Sequence, residues 1–161
     1  MIKMTPKFRG EIWKGGYDKV SKSEYKKAMT EAMQVLETEV ALNTPIGVGG
    51  HLQGGIRGTV LTHLRGVVGV EGPASKYGDV VEKGRRPGKW PPRDAIELWV
   101  RRIIRPLKEE LNSVAFLVQR KIGKKGFKGK FMFRDAEKKL KTRVINMFRI
   151  ATKRIERRLS K

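Results

Sequence analysis

The chain contains no cysteine. That excludes a disulfide framework, thiolate catalysis and cysteine-ligated zinc. Histidine is scarce as well: only His51 and His63 occur, so histidine-rich metal sites and histidine relays lack their parts. Acid is the minority charge, with 16 Asp and Glu against 37 Lys and Arg in 161 residues and a formal net charge of +21. Such an excess asks for an anionic partner: nucleic acid, an acidic protein surface or an anionic membrane. Long apolar runs are missing too. The longest uncharged stretch lies between Glu39 and Arg57 and is broken by Pro45 and by glycines, so it reads as a loop and is unsuited to spanning a bilayer. Met1-Ile2-Lys3-Met4-Thr5-Pro6 lacks the apolar centre of a signal peptide. The expectation is a soluble chain made in a cytoplasm, with no membrane partner.

Hydrophobic residues make up 39% of the chain, which is modest, yet they are patterned and their number suffices for one folded domain without covalent staples. The reading is a single domain over 1–161. It divides into an arm or strand at 1–20, an α+β core at 21–133 and a basic carboxy-terminal helix at 134–161. Charge is unevenly spread. Residues 31–56 hold Glu31, Glu37 and Glu39 and no Lys or Arg, whereas the basic excess concentrates after residue 100.

Phe8–Trp13 alternates weakly and predicts a short strand. Ser21-Lys22-Ser23-Glu24 has the form of a capping box, which predicts a helix start. Tyr25, Ala28, Met29, Ala32, Val35, Leu36 and Val40 then recur at helical spacing. Pro45 stops that helix near Asn43, because the residue before proline avoids helical geometry. Thr44–Gly55 reads as a glycine-rich loop. Ile56–Leu64 and Val67–Val70 read as a β-hairpin turning at Arg65-Gly66, closed by Pro73. Tyr77–Glu82 reads as a further strand ended by Gly84, and Arg85–Pro92 as a basic loop around Trp90.

Asp94 and Glu97 suggest a second capping box. The helix it opens carries Ile96, Trp99, Val100, Ile103 and Ile104 up to Pro106. Leu107, Leu111, Val114, Ala115, Val118 and Ile122 continue the helical stripe, with Gly123 suited to the position just past its end. Lys124–Lys130 reads as a basic loop. From about Asp135 to Leu159, the residues Ala136, Leu140, Val144, Met147, Phe148, Ala151, Ile155 and Leu159 line one side of a long helix. The fold class that follows is α+β: a small antiparallel sheet with a hairpin, packed by a long amino-terminal helix and carboxy-terminal helices.

Catalytic chemistry is poorly supplied. A P-loop needs Gly-x-x-x-x-Gly-Lys-Ser/Thr; Gly49 and Gly54 have the spacing, but Gly55-Ile56 follow. Glu71, Asp79 and Glu82, with His63, could furnish a nuclease, but their spacing specifies nothing. No Gly-x-Ser-x-Gly elbow occurs. The expectation is no catalytic residue, no cofactor and no metal. Basic residues carry the strongest signal. Arg85, Arg86 and Lys89 flank Trp90; Lys124, Lys125, Lys128 and Lys130 interleave with Phe127 and Phe131. Such loops suit contact with DNA phosphates or an acidic partner, with aromatics at hand for stacking.

The order of several short motifs resembles the neck and tail-completion family of long-tailed bacteriophages, the minor tail components or head–tail joining proteins. Asn43-Thr44-Pro45 ends the first long helix, followed by Gly50-His51-Leu52 and then Gly55-Ile56 opening the hairpin. Tyr77 precedes Val81-Glu82-Lys83-Gly84, Trp99-Val100 falls in the middle helix, and Phe131-Met132 stands shortly before Ala136. Two positions depart from the family's pattern: Gly55 where serine is usual, and Lys130 where proline usually precedes the phenylalanine.

The resemblance implies a non-enzymatic structural virion protein, made in the host cytoplasm. It implies a homo-oligomeric ring of about 6 or 12 copies. Its neighbours are the head connector or head-closure protein and the tail terminator or tail tube, with possible contact to genomic DNA in the channel. Ile46, Leu52, Trp90, Phe131 and Met132 are the candidate assembly contacts. One or both of the loops at 46–55 and 85–92 are expected to order only on assembly, with apolar anchors such as Leu52 and Trp90. The competing class is a stand-alone basic nucleic-acid-binding protein, which explains the charge equally well.

Overall fold

The structure, a computed structural model, describes residues 1–4 and 18–159. The strand expected at Phe8–Trp13 lies outside the described residues. The architecture is α+β. In chain order the elements are β1 (Ile2–Met4), α1 (Asp18–Asn43), α2 (His51–Gly54), β2 (Ile56–Thr62), β3 (Arg65–Val70), α3 (Ser75–Lys83), β4 (Gly84–Arg85), α4 (Arg93–Trp99), α5 (Leu111–Lys125), β5 (Phe127–Lys128) and α6 (Met132–Leu159). They gather into two compact units, one from Met1–Asn43, Ile56–Val70 and Met132–Lys161, the other from Thr44–Gly55 and Glu71–Phe131.

In the first unit α1 packs against α6 and against the β2–β3 hairpin. The sheet is antiparallel with β3 in the centre, flanked by β1 and β2. Tyr25, Met29, Ala32, Met33, Leu36 and Val40 are buried at three- and four-residue spacing, the face the helical period requires. Ala136, Leu140, Val144, Phe148, Ala151 and Ile155 form the buried stripe of α6. Tyr25 stacks near Phe148, ring centroids 6.3 Å apart, and its hydroxyl lies 3.1 Å from Thr152 Oγ1. Burial pushes the Tyr25 hydroxyl's pKa up, since the phenolate is the form that loses most by leaving water.

Several expectations are corrected in this unit. The helix is already under way at Asp18, so Ser21 and Glu24 are interior helical residues and form no capping box at its start. Glu24 is buried and carries Lys27 at 3.4 Å and Arg158 at 3.2 Å. The hairpin turns at His63-Leu64, with Arg65 and Gly66 already in β3. Gly66 serves packing: a Cβ there would run into the Met33 and Met29 sulfurs. Met33 is buried, although the helical stripe assigned its place to Val35. Helix α6 begins at Met132, before Asp135, directly after Phe131, whose φ of 52° is left-handed.

In the second unit the stretch expected as a loop at Thr44–Gly55 is partly helical, with a 3-10 turn at Val48–Gly50 leading into α2. Helix α2 lies against the 3-10 turn Gly72–Ala74. The strand expected at Tyr77–Glu82 is helix α3. Tyr77, Val80 and Val81 satisfy i, i+3, i+4 as well as a loose alternation, and so short a run does not separate the two periods. Pro92, not Asp94, occupies the cap of α4, and Glu97 binds Arg93 at 2.6 Å instead of reaching back to a cap. After Trp99 the helix widens into a π turn, Val100–Ile104, which ends at Arg105 with φ 53° before Pro106. Gly123 lies inside α5; the helix stops at Gly126, φ 65°.

Candidate anion-binding site

The two basic loops meet. Gly84 and Arg85 of β4 pair antiparallel with Lys128 and Phe127 of β5. Three glycines make this possible. A Cβ on Gly84 would collide with Gly129 N and Phe127 O, one on Gly126 with Arg85 O, and one on Gly129 with Glu82 O. These backbones approach as closely as they do because no side chain stands between them. Beyond the ribbon, the Lys130 and Phe131 amides donate to Val81 O (2.9 Å) and Glu82 O (3.1 Å).

The loop between β4 and α4 is clipped to α5 as well. The Gly88 amide donates to Gly123 O at 2.8 Å, and Gln119 Nε2 donates to Pro91 O at 2.7 Å. The Arg85 guanidinium donates to Lys89 O and closes the turn between them. Trp90 lies over Gly123, where an added Cβ would be 2.8 Å from the indole Cδ1 and Nε1. Its other neighbour is Phe116, with centroids 5.8 Å apart and planes tilted by 49°. Trp90 therefore acts as a structural clip. Part of the ring that its sequence context offered for stacking is taken up by these contacts, and 43% of the residue stays exposed.

The outcome is one short ribbon with Arg85 and Lys128 in its strands, and the other five basic residues singled out by sequence in the segments that adjoin it, Lys124 and Lys125 at the end of α5. Arg86, Lys89, Lys124, Lys125, Lys128 and Lys130 are exposed, and Arg85 is half-buried. Residues 84–93 and 111–134 contain no Asp or Glu. Among the described residues none of the seven forms an ion pair. Uncompensated cations so close together raise the local potential and concentrate anions.

The assembly guesses fare unevenly. Ile46 is 71% exposed, Trp90 is 43% exposed, and Phe131 is half-buried. Leu52 and Met132 are corrected: both are buried, at 5% and 0% exposure, and offer no free surface to a neighbour. The segments that carry Leu52 and Trp90 hold backbone hydrogen bonds such as Glu71 N to Gly55 O at 2.7 Å and Gly88 N to Gly123 O at 2.8 Å. Sequence reasoning missed a different group. Trp99, Ile103 and Ile104 belong to the apolar stripe read from the sequence and Leu98, Phe116 and Leu117 lie outside it, yet all six are exposed. Their helical spacing was the available signal, and it reports one side of a helix without saying what covers it. Among the described residues no three His, Asp or Glu side chains converge where they could hold a metal ion.

Comparisons of the chain with protein-family models, with curated proteins and with solved structures find no match.

Proposed function

We propose that this chain is a structural subunit of the neck of a long-tailed phage, forming a ring with its own copies that completes the tail or joins it to the head. The observation that carries the proposal is the exposed apolar set on the second unit. Leu98, Trp99, Ile103, Ile104, Phe116 and Leu117 come from α4, the π turn and α5, elements packed against one another. Single exposed apolar residues are ordinary, but a group of large ones on adjoining helices marks a surface that an association covers.

The motif order supports the same reading. Thr44-Pro45 lies at the end of α1, Gly55-Ile56 opens β2, Gly84 ends α3, Trp99-Val100 marks the change from α to π turn, and Phe131-Met132 opens α6. Each motif sits at a junction, where backbone geometry restricts residue type. A ring uses a heterologous contact, one patch against a different patch on the next copy. The basic ribbon is then left to meet an anionic surface in the neck. A stand-alone nucleic-acid binder accounts for the ribbon but gives the apolar group no role.

The deciding experiment is quantitative mass spectrometry of density-purified particles of a phage encoding this chain, referred to its major capsid protein. The expected result is about 6 to 12 copies per particle, one closed ring, with unjoined heads and tails when the gene is disabled. Abundance in infected cells with absence from particles would overturn the proposal.

A further inference from the structure

We propose that the β4–β5 ribbon binds the sugar–phosphate backbone of duplex DNA, independently of sequence and without base stacking. This names the anionic partner of the site and rests on the reading of the chain as a neck subunit only for its biological setting.

Three features of the ribbon select this ligand. The first is the kind of cation. Lys89, Lys124, Lys125, Lys128 and Lys130 outnumber Arg85 and Arg86. Protein–protein contacts are depleted in lysine and favour arginine, whereas lysine neutralises phosphate as a mobile point charge. The second is what accompanies the cations. Residues 84–92 and 120–131 contain no Ser, Thr, Asn, Gln, Asp or Glu. An acidic protein would have to supply a block of carboxylates unrelieved by any cation and would find no neutral hydrogen-bonding side chain other than the Trp90 indole to set its register. DNA presents a phosphate about every 1.7 Å of helix axis and needs no such partner. The third is the state of the aromatic residue. Trp90, although 43% exposed, is held over Gly123 and against Phe116, and Phe127 is the ribbon's other exposed ring; without a row of free rings for successive bases, a continuous duplex suits the site better than single strands. A second copy of the chain is a poor occupant, because its own net charge is +21.

The test uses the full chain, fluorescence anisotropy and three probes: a 24-base-pair duplex, a single strand of the same length, and polyglutamate. Binding is followed from about 50 to 200 mM NaCl. With about five or six phosphates engaged, the slope of log K against log salt should lie near −5, at about −0.9 per phosphate. Scrambling the duplex sequence should leave affinity within about twofold.

Lys124→Gln with Lys128→Gln should flatten the slope by about 1.8, the sum for two lost contacts. Lys138→Gln with Lys141→Gln on α6 removes the same charge elsewhere and should leave the slope nearly unchanged. Equal flattening by both pairs would mean that only net charge matters, and the site assignment falls. Polyglutamate binding as tightly as duplex at 150 mM salt would assign the ribbon to an acidic protein instead. Tighter binding to the single strand, lost in Phe127→Leu, would overturn the exclusion of stacking.

The two readings fail separately. A chain present at ring copy number that does not bind duplex loses this proposal alone. Duplex binding by a chain absent from particles loses the neck reading alone.

Discussion

Replacing Gly126 by alanine should open the basic ribbon. Gly126 has a φ of 65°, and a Cβ there would collide with the carbonyl oxygen of Arg85. With its ψ of −158° this is backbone that essentially only glycine adopts, and it costs another residue about 1–3 kcal/mol. The collision is with backbone, so it is relieved only by moving β5 away from β4. That sacrifices ladder hydrogen bonds worth about 1 kcal/mol each. With one or two such bonds lost the sum is about 2–5 kcal/mol, a large part of the stability of an ordinary domain.

Two other glycines calibrate the effect. Gly88 has a φ of 142° but nothing within 4 Å of an added Cβ, so Gly88→Ala should show backbone strain alone, about 1–3 kcal/mol. Gly54 lies in α2 with open space around it and no left-handed φ. Gly54→Ala should be neutral or stabilising by about 0.4–1 kcal/mol. Urea unfolding gives the stabilities, and hydrogen exchange at the Lys130 and Phe131 amides reads the ribbon's edge directly. If Gly126→Ala unfolds within about 0.5 kcal/mol of the unaltered chain and those amides stay protected, the close approach of β4 and β5 is not what holds the loops together.

Other expectations concern different links of the structure. Glu37 Oε2 accepts from the Gly58 amide at 2.7 Å, so Glu37→Ala should cost about 1–2 kcal/mol by orphaning that donor. Glu37→Gln should recover most of it in the same unfolding assay. Tyr25 holds its proton to higher pH when folded than when unfolded. Its contribution is therefore complete below the ordinary tyrosine range near pH 10 and declines as pH rises through it. Tyr25→Phe should make alkaline destabilisation shallower, and an unchanged slope between about pH 9.5 and 11 would contradict the linkage. Ile103→Glu with Leu117→Glu places charge on the exposed apolar group. The pair should shift the chain from oligomer to monomer in light scattering while circular dichroism stays the same; loss of the fold would show those residues to be core instead.

The long helices were legible because each obeys one simple period over many turns. Tyr25 to Val40 and Ala136 to Ile155 place their apolar residues on one side, and both stripes are buried except at Val35 and Met147, which are half-buried. The end of α1 was legible too, since Pro45 acts locally on Thr44. Legibility failed where two local rules compete. Tyr77–Glu82 satisfies strand and helix spacing alike, and the Gly72–Ala74 turn feeds it into a helix. The capping boxes at Ser21 and Asp94 failed because the same residue pattern occurs within helices, where Glu24 meets Arg158 and Glu97 meets Arg93. Gly66 and Gly123 looked like turn or cap glycines. Each is instead the space left for a methionine pair or an indole, a fact about partners remote in sequence.

The candidate site divides along the same line. Its cations could be named from the sequence, because charge is a property of each residue alone and the absence of acid around it is visible in one dimension. That the loop at 85–92 and the segment at 124–130 form one surface could not. Their meeting depends on Gly84, Gly126 and Gly129 admitting backbone contact between strands remote in sequence, and on Trp90 closing over Gly123. Composition determined that this protein carries a large excess of cations. Only the tertiary structure decided where, since a pairing of short strands is stabilised by long-range contacts that no local pattern encodes.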